Sequence, residues 1–187
     1  NPKRVRLIKE GLRRRDPVLY WMSRDQRVND NWALQFAQEL AIQNNVPLGV
    51  LFCLVPNFLN ATLRQYGFML KGLREVENRL AELSIPFFLL LGPPEQQLPA
   101  FLAKHKTGGL VTDFDPLRLK QKWKQEVTAR LNSFIYEVDA RNIVPCWEAS
   151  DKREYAAYTL RPKIHRLLVE FLEEFPSIET HPFPWPQ

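Results

Sequence analysis

The chain has 187 residues, of which 45% are hydrophobic and 12% aromatic, a composition that excludes an intrinsically disordered protein. Its formal charge of +5 is unevenly placed: residues 1–27 hold nine Lys or Arg against three acidic residues, so the remainder is nearly neutral. No apolar run approaches the roughly 20 residues of a membrane-spanning helix, and the basic N-terminus lacks the apolar region of a signal peptide.

Short apolar runs alternate along the chain with helical periods. The predicted strands are residues 18–22, 48–55, 86–91, 109–113 and 134–138, and the predicted helices between them are 31–44, 63–83, 95–104 and 117–132. Several of these strands are almost continuously apolar, which is typical of a parallel sheet covered on both faces. The pattern therefore predicts an α/β fold with a Rossmann-like, doubly wound, five-stranded parallel sheet flanked by helices.

The two ends of the chain differ from this central part. Residues 1–16 form a basic arm that either attracts nucleic acid through its phosphates or is simply solvated and helix-prone. Pro162 is expected to begin a last helix that runs to about residue 175. Residues 181–186 contain three prolines and no periodicity, so residues 177–187 are predicted to start an interdomain linker, and residues 17–176 to form the α/β domain.

Common catalytic signatures are missing from the sequence. There is neither a Gly-x-Gly-x-x-Gly motif nor a P-loop, which argues against an ordinary dinucleotide or nucleoside triphosphate site. His105, His165 and His181 lie at spacings that do not suit a metal, so no metal site and no catalytic residue is predicted. Cys53 and Cys146 are expected to be buried free thiols rather than a disulfide, which suggests a reducing compartment.

Polar residues follow four of the predicted strands, at the carboxyl edge where open α/β sheets bind ligands. The predicted ligand-binding residues are Ser23, Arg24, Asp25, Arg27, Phe58, Asp113, Phe114, Asp115 and Arg141. A structural role is the alternative, because Asp and Asn cap helices and Arg24 could form a buried ion pair with Asp113. A planar aromatic ligand would suit the cluster, since aromatic walls and a few polar groups are both available.

The same region resembles the photolyase/cryptochrome family, and in particular the class II cyclobutane pyrimidine dimer photolyases. The residues that carry the resemblance at the first strand and helix are Trp21, Arg24, Asp25, Arg27, Asp30, Asn31, Ala33 and Leu34. The segments 20–27, 139–145, 154–157 and 161–164 are similar to the class II group. The similarity extends over essentially the whole chain.

This resemblance implies a two-domain flavoprotein that uses light to reverse cyclobutane pyrimidine dimers in UV-damaged DNA. The present chain is similar to its N-terminal domain, which can hold an antenna chromophore, either a deazaflavin or a folate. FAD and the lesion would bind to a helical C-terminal domain, so this chain alone is expected to be inactive and to self-associate through an uncovered interdomain face. The implied location is the cytoplasm, or the nucleus in a eukaryote.

Two other interpretations remain open. The chain could be a stand-alone flavin- or nucleotide-binding module with a photosensory role and no repair activity. It could also be a domain whose pocket has lost its ligand and that only supports a partner domain.

Overall fold

The computed structural model describes residues 1–11 and 15–186. Its strands are β1 (Val5–Lys9), β2 (Val18–Trp21), β3 (Leu48–Leu54), β4 (Phe87–Leu91), β5 (Gly109–Asp113) and β6 (Phe134–Val138). Its helices are α1 (Trp32–Asn44), α2 (Leu63–Glu82), α3 (Pro94–Lys104), α4 (Arg118–Arg130), α5 (Cys146–Ala149) and α6 (Ala157–Phe171). Short 3-10 turns occupy Pro2–Arg4 and Phe58–Asn60. No helix among these residues is long and apolar enough to cross a bilayer.

The strands form one sheet in the order β1-β6-β5-β2-β3-β4. The five strands β2 to β6 are mutually parallel, as predicted, and only β1 runs antiparallel, against β6. From β2 the chain builds the sheet outward in one direction through β3 and β4, then in the other through β5 and β6. The doubly wound α/β prediction is therefore confirmed, and the strand order reverses at β2, where such sheets open a crevice at their carboxyl edge.

The sheet carries a hydrophobic layer on each face. Val18, Tyr20 and Met22 pack with α1 and α2 in one layer, whereas Leu19 and Trp21 pack with α3 and α4 in the other. Successive side chains of a strand point to opposite faces, so β2 can be apolar throughout only because both faces are covered. Trp21, at 3% exposure, thus belongs to the core and not to an open pocket.

The basic N-terminal segment supplies the sixth strand, which the sequence did not predict. The expectation of a helix-prone arm is wrong for β1, whose Val5 pairs with Val138 of β6, although residues 6–8 of this strand are exposed to solvent. Arg4 is only 2% exposed, and its guanidinium donates to the carbonyls of Asn142, Ile143 and Phe171 at 2.6–3.0 Å. The unpaired edge of β6 provides the hydrogen-bonding partner that makes a basic, partly apolar segment extended. Residues 12–14 of the arm lie outside the described residues.

The C-terminal part of the chain differs from the prediction in detail. Helix α6 begins at Ala157, so that Pro162 lies inside the helix and does not start it. Beyond α6, the backbone N–H of His181 donates to the Leu83 carbonyl at 2.8 Å, and Trp185 packs on Phe88 with ring centroids 5.3 Å apart. The proline-rich end therefore lies against the amino ends of β3 and β4. Its assignment as an interdomain linker stays a prediction.

Candidate functional site

Asp113, the last residue of β5, organises the loop that follows β2. One oxygen of its carboxylate accepts from the Tyr20 hydroxyl at 2.7 Å, and the other from the backbone N–H groups of Ser23, Arg24 and Asp25 at 2.9, 2.7 and 3.3 Å. Burial raises the pKa of Asp113, while the hydrogen bonds from the backbone and from Tyr20 oppose that rise. Asp113 therefore holds the loop in place from below. The contact between Arg24 and Asp113 is made by the backbone N–H of Arg24, and not by its guanidinium as the ion pair considered from sequence would require.

Asn31 closes the same loop from the helix side. Its side-chain oxygen accepts from the N–H groups of Ala33 and Leu34, both at 3.0 Å, which caps α1. Its amide nitrogen donates to the Tyr20 hydroxyl at 3.2 Å and to the Arg27 carbonyl at 2.9 Å. Burial and the neighbouring Asp113 raise the pKa of Tyr20 well above its usual range, so Tyr20 remains a donor to that carboxylate.

The Asp25 carboxylate has fewer hydrogen-bond partners than the Asp113 carboxylate. It is 6% exposed, and one of its carboxylate oxygens has no hydrogen-bond partner among the described residues. The nearest cation is the exposed guanidinium of Arg27, 4.0 Å away. Burial raises the pKa of Asp25, and the charges of Arg27, Arg141 and Arg24 counteract it in that order. A buried carboxylate with so few hydrogen bonds and no close cation destabilises the folded state. Groups of this kind are common at functional sites.

A cavity of about 350 Å³ opens beside this loop, above the carboxyl end of β3. Its residues come from the loop after β2, from the end of β3 and the turn that follows, from α2 and from the start of α4. They are Ser23, Arg24, Gln26, Phe52, Cys53, Leu54, Val55, Phe58, Ala61, Gln65, Tyr66, Met69, Asp115, Leu117, Lys120 and Trp123. The wall is mainly apolar and aromatic with a few polar groups, which is the usual composition of a small-molecule site.

Tyr66 fixes the aromatic part of this wall. Its hydroxyl donates to the Val55 carbonyl at 2.7 Å and accepts from the Phe58 N–H at 2.8 Å. Phe58 in turn lies against Trp123, with ring centroids 5.9 Å apart. The neighbouring Leu59 has a φ of 46°, an uncommon conformation for a leucine, so this turn is held by its surroundings.

Lys120 extends into the cavity from the first turn of α4. Its ammonium lies 5.1 Å from the ring centroids of both Phe58 and Trp123, and it donates to the Ser23 carbonyl at 3.4 Å. Burial lowers the pKa of Lys120, although the charges of Asp115 and Asp113 partly restore it.

The nine predicted site residues separate into three groups in the structure. Ser23, Arg24, Phe58 and Asp115 line the cavity, whereas Asp113 and Asp25 support the adjoining loop. Arg27 and Arg141 are exposed outside the cavity, and Phe114 packs edge-on against Trp147. A ligand-binding role for any of the nine stays a prediction.

Sequence reasoning missed Lys120, Trp123, Tyr66 and Met69. These residues lie inside helices, where the amphipathic pattern assigns apolar residues to the core and lysines to the surface. The one available signal was that Lys120 and Trp123 are three residues apart near the start of a helix that follows a strand.

Both cysteines are free, but only Cys53 is buried. Cys53 lines the cavity, and burial raises the pKa of its thiol to about 12, so the thiol is unreactive. The expectation that Cys146 is also buried is wrong, because it begins α5 in the loop after β6. No group of three or more His, Cys, Asp or Glu within residues 1–11 and 15–186 could hold a metal ion.

Comparison with known proteins decides which family this fold and loop represent. A family model described as DNA photolyase matches residues 18–184, which is most of the chain. The chain belongs to the DNA photolyase family. The family expectation drawn from the residues around Arg24 and Asp25 is thereby confirmed, and the class II subgroup remains a prediction.

Individual relatives in the photolyase family agree with this assignment. The chain is 52% identical to the deoxyribodipyrimidine photo-lyase of Potorous tridactylus and 47% identical to that of Arabidopsis thaliana, in each case over 98% of its length. It spans only 35% and 38% of those two relatives. Among solved structures, the cryptochrome of Synechocystis sp. PCC6803 matches 94% of the chain with a TM-score of 0.70 at 13% identity, which supports the fold.

Proposed function

We propose that this chain is the antenna-type domain of a light-driven photolyase that reverses cyclobutane pyrimidine dimers in UV-damaged DNA. The observation that carries the proposal is the aromatic cavity at the carboxyl edge of the sheet, in a chain that matches deoxyribodipyrimidine photo-lyases from end to end. The relatives are more than twice as long as this chain, so dimer cleavage itself belongs to the full-length protein.

The residues of the cavity fit a planar chromophore such as a deazaflavin or a folate. A volume of about 350 Å³ suits one fused ring system with a short substituent, and Phe58 and Trp123 provide apolar surfaces for it. Ser23, Arg24 and Lys120 offer hydrogen-bond donors around those rings. Such a chromophore, when bound, absorbs light and passes the excitation to the catalytic flavin.

We further propose that residues 17–176 form the antenna-type domain together with β1, which the basic segment 1–16 contributes to the sheet, and that residues 177–187 start a linker to a helical domain. That helical domain would bind FAD and the lesion, which leaves the present chain inactive in repair and prone to self-association. The basic arm gives DNA an auxiliary contact. A protein with this substrate belongs in the cytoplasm of a prokaryote or the nucleus of a eukaryote.

The direct test is a fluorescence and absorbance titration of the purified chain with a deazaflavin, a folate and FMN. Trp123→Leu should weaken binding of whichever ligand binds, because it removes one aromatic surface. Trp147→Leu, which changes an aromatic residue outside the cavity, is the matched control. If none of the three ligands binds at tens of micromolar, the antenna assignment is wrong for this chain.

A stand-alone flavin- or nucleotide-binding module is the alternative function. It is favoured by the composition of the cavity wall, which is mainly apolar and aromatic with a few polar groups and would suit a flavin or a nucleotide base as well as an antenna chromophore. Blue-light repair of dimer-containing DNA by the full-length protein supports the photolyase proposal. Ligand binding without any repair by that protein would support the module.

A further inference from the structure

The last described part of the chain, residues 177–186, contacts the α/β domain at three points, and we name it the C-terminal strap. Gln38 of α1, which is 3% exposed, holds its beginning. The Gln38 side chain donates to the Glu179 carbonyl at 2.7 Å and accepts from the Glu179 N–H at 3.2 Å. His181 holds the middle of the strap and Trp185 its end. The strap therefore has a defined docked position, although its sequence shows no helix or strand periodicity.

Trp185 packs into a space that a glycine leaves open. A Cβ at Gly49 of β3 would lie 2.9 Å from the Trp185 ring, so a side chain at that position would collide with it. The Trp185 ring also packs on Phe88, with centroids 5.3 Å apart, and lies 5.7 Å from the His105 ring. Its indole nitrogen is buried without a hydrogen-bond partner among the described residues. Packing, and not hydrogen bonding, thus retains the end of the strap.

Of the three contact points, only His181 has a side chain that titrates near neutral pH. His181 is 3% exposed, its backbone N–H donates to the Leu83 carbonyl at 2.8 Å, and its ring nitrogen Nε2 lies 3.0 Å from the Val46 carbonyl oxygen. A carbonyl only accepts, so Nε2 carries the proton and Nδ1 of the neutral ring is an acceptor. Nδ1 is buried and has no partner within the described residues. A second proton would therefore place a charge and an unsatisfied donor in a site that fits a neutral imidazole.

The charged side chains on the elements around His181 make no ion pair with its ring. On α2, Glu77 lines the same groove as His181, while Arg79 and Glu82 pair with each other. On the strap, Glu179 is exposed and contacts Gln38 through its backbone. The turn at residues 44–47 and the start of β4 contain no titratable side chain. Burial consequently lowers the pKa of the His181 ring, and the bond to Val46 only partly opposes that effect.

From these contacts we infer that the C-terminal strap is a proton-released latch. Protonation of His181 undocks residues 180–186 together and removes Trp185 from its site over Gly49, while Gln38 keeps Glu179 in place. Pro182 and Pro184 lack an N–H, so the residues between His181 and Trp185 have few backbone donors with which to stay docked. The inference does not depend on the proposed function, because no ligand of the cavity takes part in it.

The direction of the pH dependence follows from the two states of the ring. The released His181 ring has an ordinary pKa of 6.5, whereas burial lowers that pKa in the docked state. Docking is therefore strongest above pH 6.5. Its equilibrium constant falls by up to about tenfold per pH unit as the pH decreases from 6.5 toward the docked pKa.

The experiment follows the indole N–H of Trp185 in the purified chain by NMR, between about pH 8 and about pH 5. The chain has five tryptophans, and the indole signal that disappears in Trp185→Phe is the one to follow. After correction for the intrinsic exchange rate, the protection of this N–H should fall by up to about tenfold per pH unit below pH 6.5. The Glu179 amide is the internal control and should keep its protection, because its bond to Gln38 does not titrate.

Matched variants test whether His181 and Trp185 are coupled. His181→Gln keeps a donor for the Val46 carbonyl but cannot gain a proton, so the protection of the indole N–H should become independent of pH. Trp185→Ala removes the packing at the end of the strap and should move the pKa of the His181 ring, measured by ¹⁵N NMR, upward toward 6.5. His105→Gln removes the other histidine near Trp185 and should leave the pH dependence unchanged. Trp147→Ala, a change outside the strap, should leave the pKa of His181 unchanged.

The outcomes that overturn the inference are distinct from one another. Protection of the Trp185 indole that is independent of pH shows that no release occurs. A pH dependence that persists in His181→Gln, or that disappears in His105→Gln, assigns the release to another group. If His181→Gln undocks the strap at every pH, the pKa of His181 in Trp185→Ala decides: an upward shift supports the latch, and an unchanged pKa overturns it.

Discussion

Asp113 offers the sharpest test of how the loop after β2 is built. We consider Asp113→Ala, which removes the acceptor of the Tyr20 hydroxyl and of three backbone N–H groups. These donors lie in or beside the buried end of β5, so water does not readily replace the lost carboxylate. The loop should then lose its anchor while the sheet below it remains intact.

The expected loss follows from the geometry of these bonds. Two of them are short, at 2.7 Å to Tyr20 and 2.7 Å to the Arg24 N–H, and leaving a buried donor unsatisfied costs roughly 1–3 kcal/mol. Taking the two short bonds as dominant, Asp113→Ala should lower the free energy of unfolding by about 4 kcal/mol. Asp113→Asn keeps one acceptor oxygen and should lose about half as much, about 2 kcal/mol.

Thermal unfolding followed by circular dichroism measures this difference. For a chain of this size, about 4 kcal/mol corresponds to a decrease in Tm of roughly 8–16 °C. Asp151→Ala, at an exposed position, is the control and should change Tm by about 1 °C or less. A decrease for Asp113→Ala no larger than that of the control would refute the view that Asp113 holds the loop.

Three further predictions concern other buried ionisable groups, Asp25, His181 and Arg4. Asp25→Asn should raise Tm at pH 7 but have little effect below pH 3.8. The pKa of Asp25 is raised in the folded state, so the stability of the unaltered chain falls as the pH rises from 3.8 through that pKa, and the substitution removes this loss. His181 should loosen the C-terminal segment as the pH falls below 6.5, since burial lowers its pKa and its ring bonds to the Val46 carbonyl at 3.0 Å; hydrogen exchange at the His181 amide detects this. Arg4→Met should lower the free energy of unfolding by about 3 kcal/mol in urea unfolding, because it removes three hydrogen bonds to carbonyls. Lys3→Met, at a more exposed side chain, is the control and should leave the urea midpoint almost unchanged.

Each of these three has an outcome that contradicts it. A destabilised Asp25→Asn at pH 7 would mean that the ionised carboxylate is well compensated. If exchange at the His181 amide is independent of pH after correction for the intrinsic rate, protonation of the His181 ring does not loosen the C-terminal segment. Equal losses for Arg4→Met and Lys3→Met would show that the three carbonyl contacts of Arg4 add no stability.

The five parallel strands and the position of the candidate site followed from local patterns. Apolar runs such as residues 109–113 give a strand wherever the surrounding chain can cover both faces, and Asp113 marks the end of that strand. Since carboxyl ends of parallel strands meet at one edge, the polar residues after them had to lie near one another. That argument identified Ser23, Arg24, Phe58 and Asp115 as neighbours before any contact was known.

Strand β1 and the buried histidine depended on partners far away in the sequence. Residues 5–9 are extended because the edge of β6, about 130 residues later, lacks a neighbour, and no local pattern contains that information. His181 is buried because its backbone and ring reach the carbonyls of Leu83 and Val46. A proline-rich segment otherwise indicates exposed chain, so tertiary contacts overrode the local preference.

The chain by itself thus determined its fold class, its family and the edge of the sheet that holds the candidate site. Those properties depend on hydrophobic periodicity and on short motifs, which can be recognised from residues that are close together in the sequence. Only the tertiary structure decided the character of the cavity, because Phe58 from one loop and Lys120 and Trp123 from a later helix meet through packing alone. The aromatic wall of that site is a property of the packed molecule.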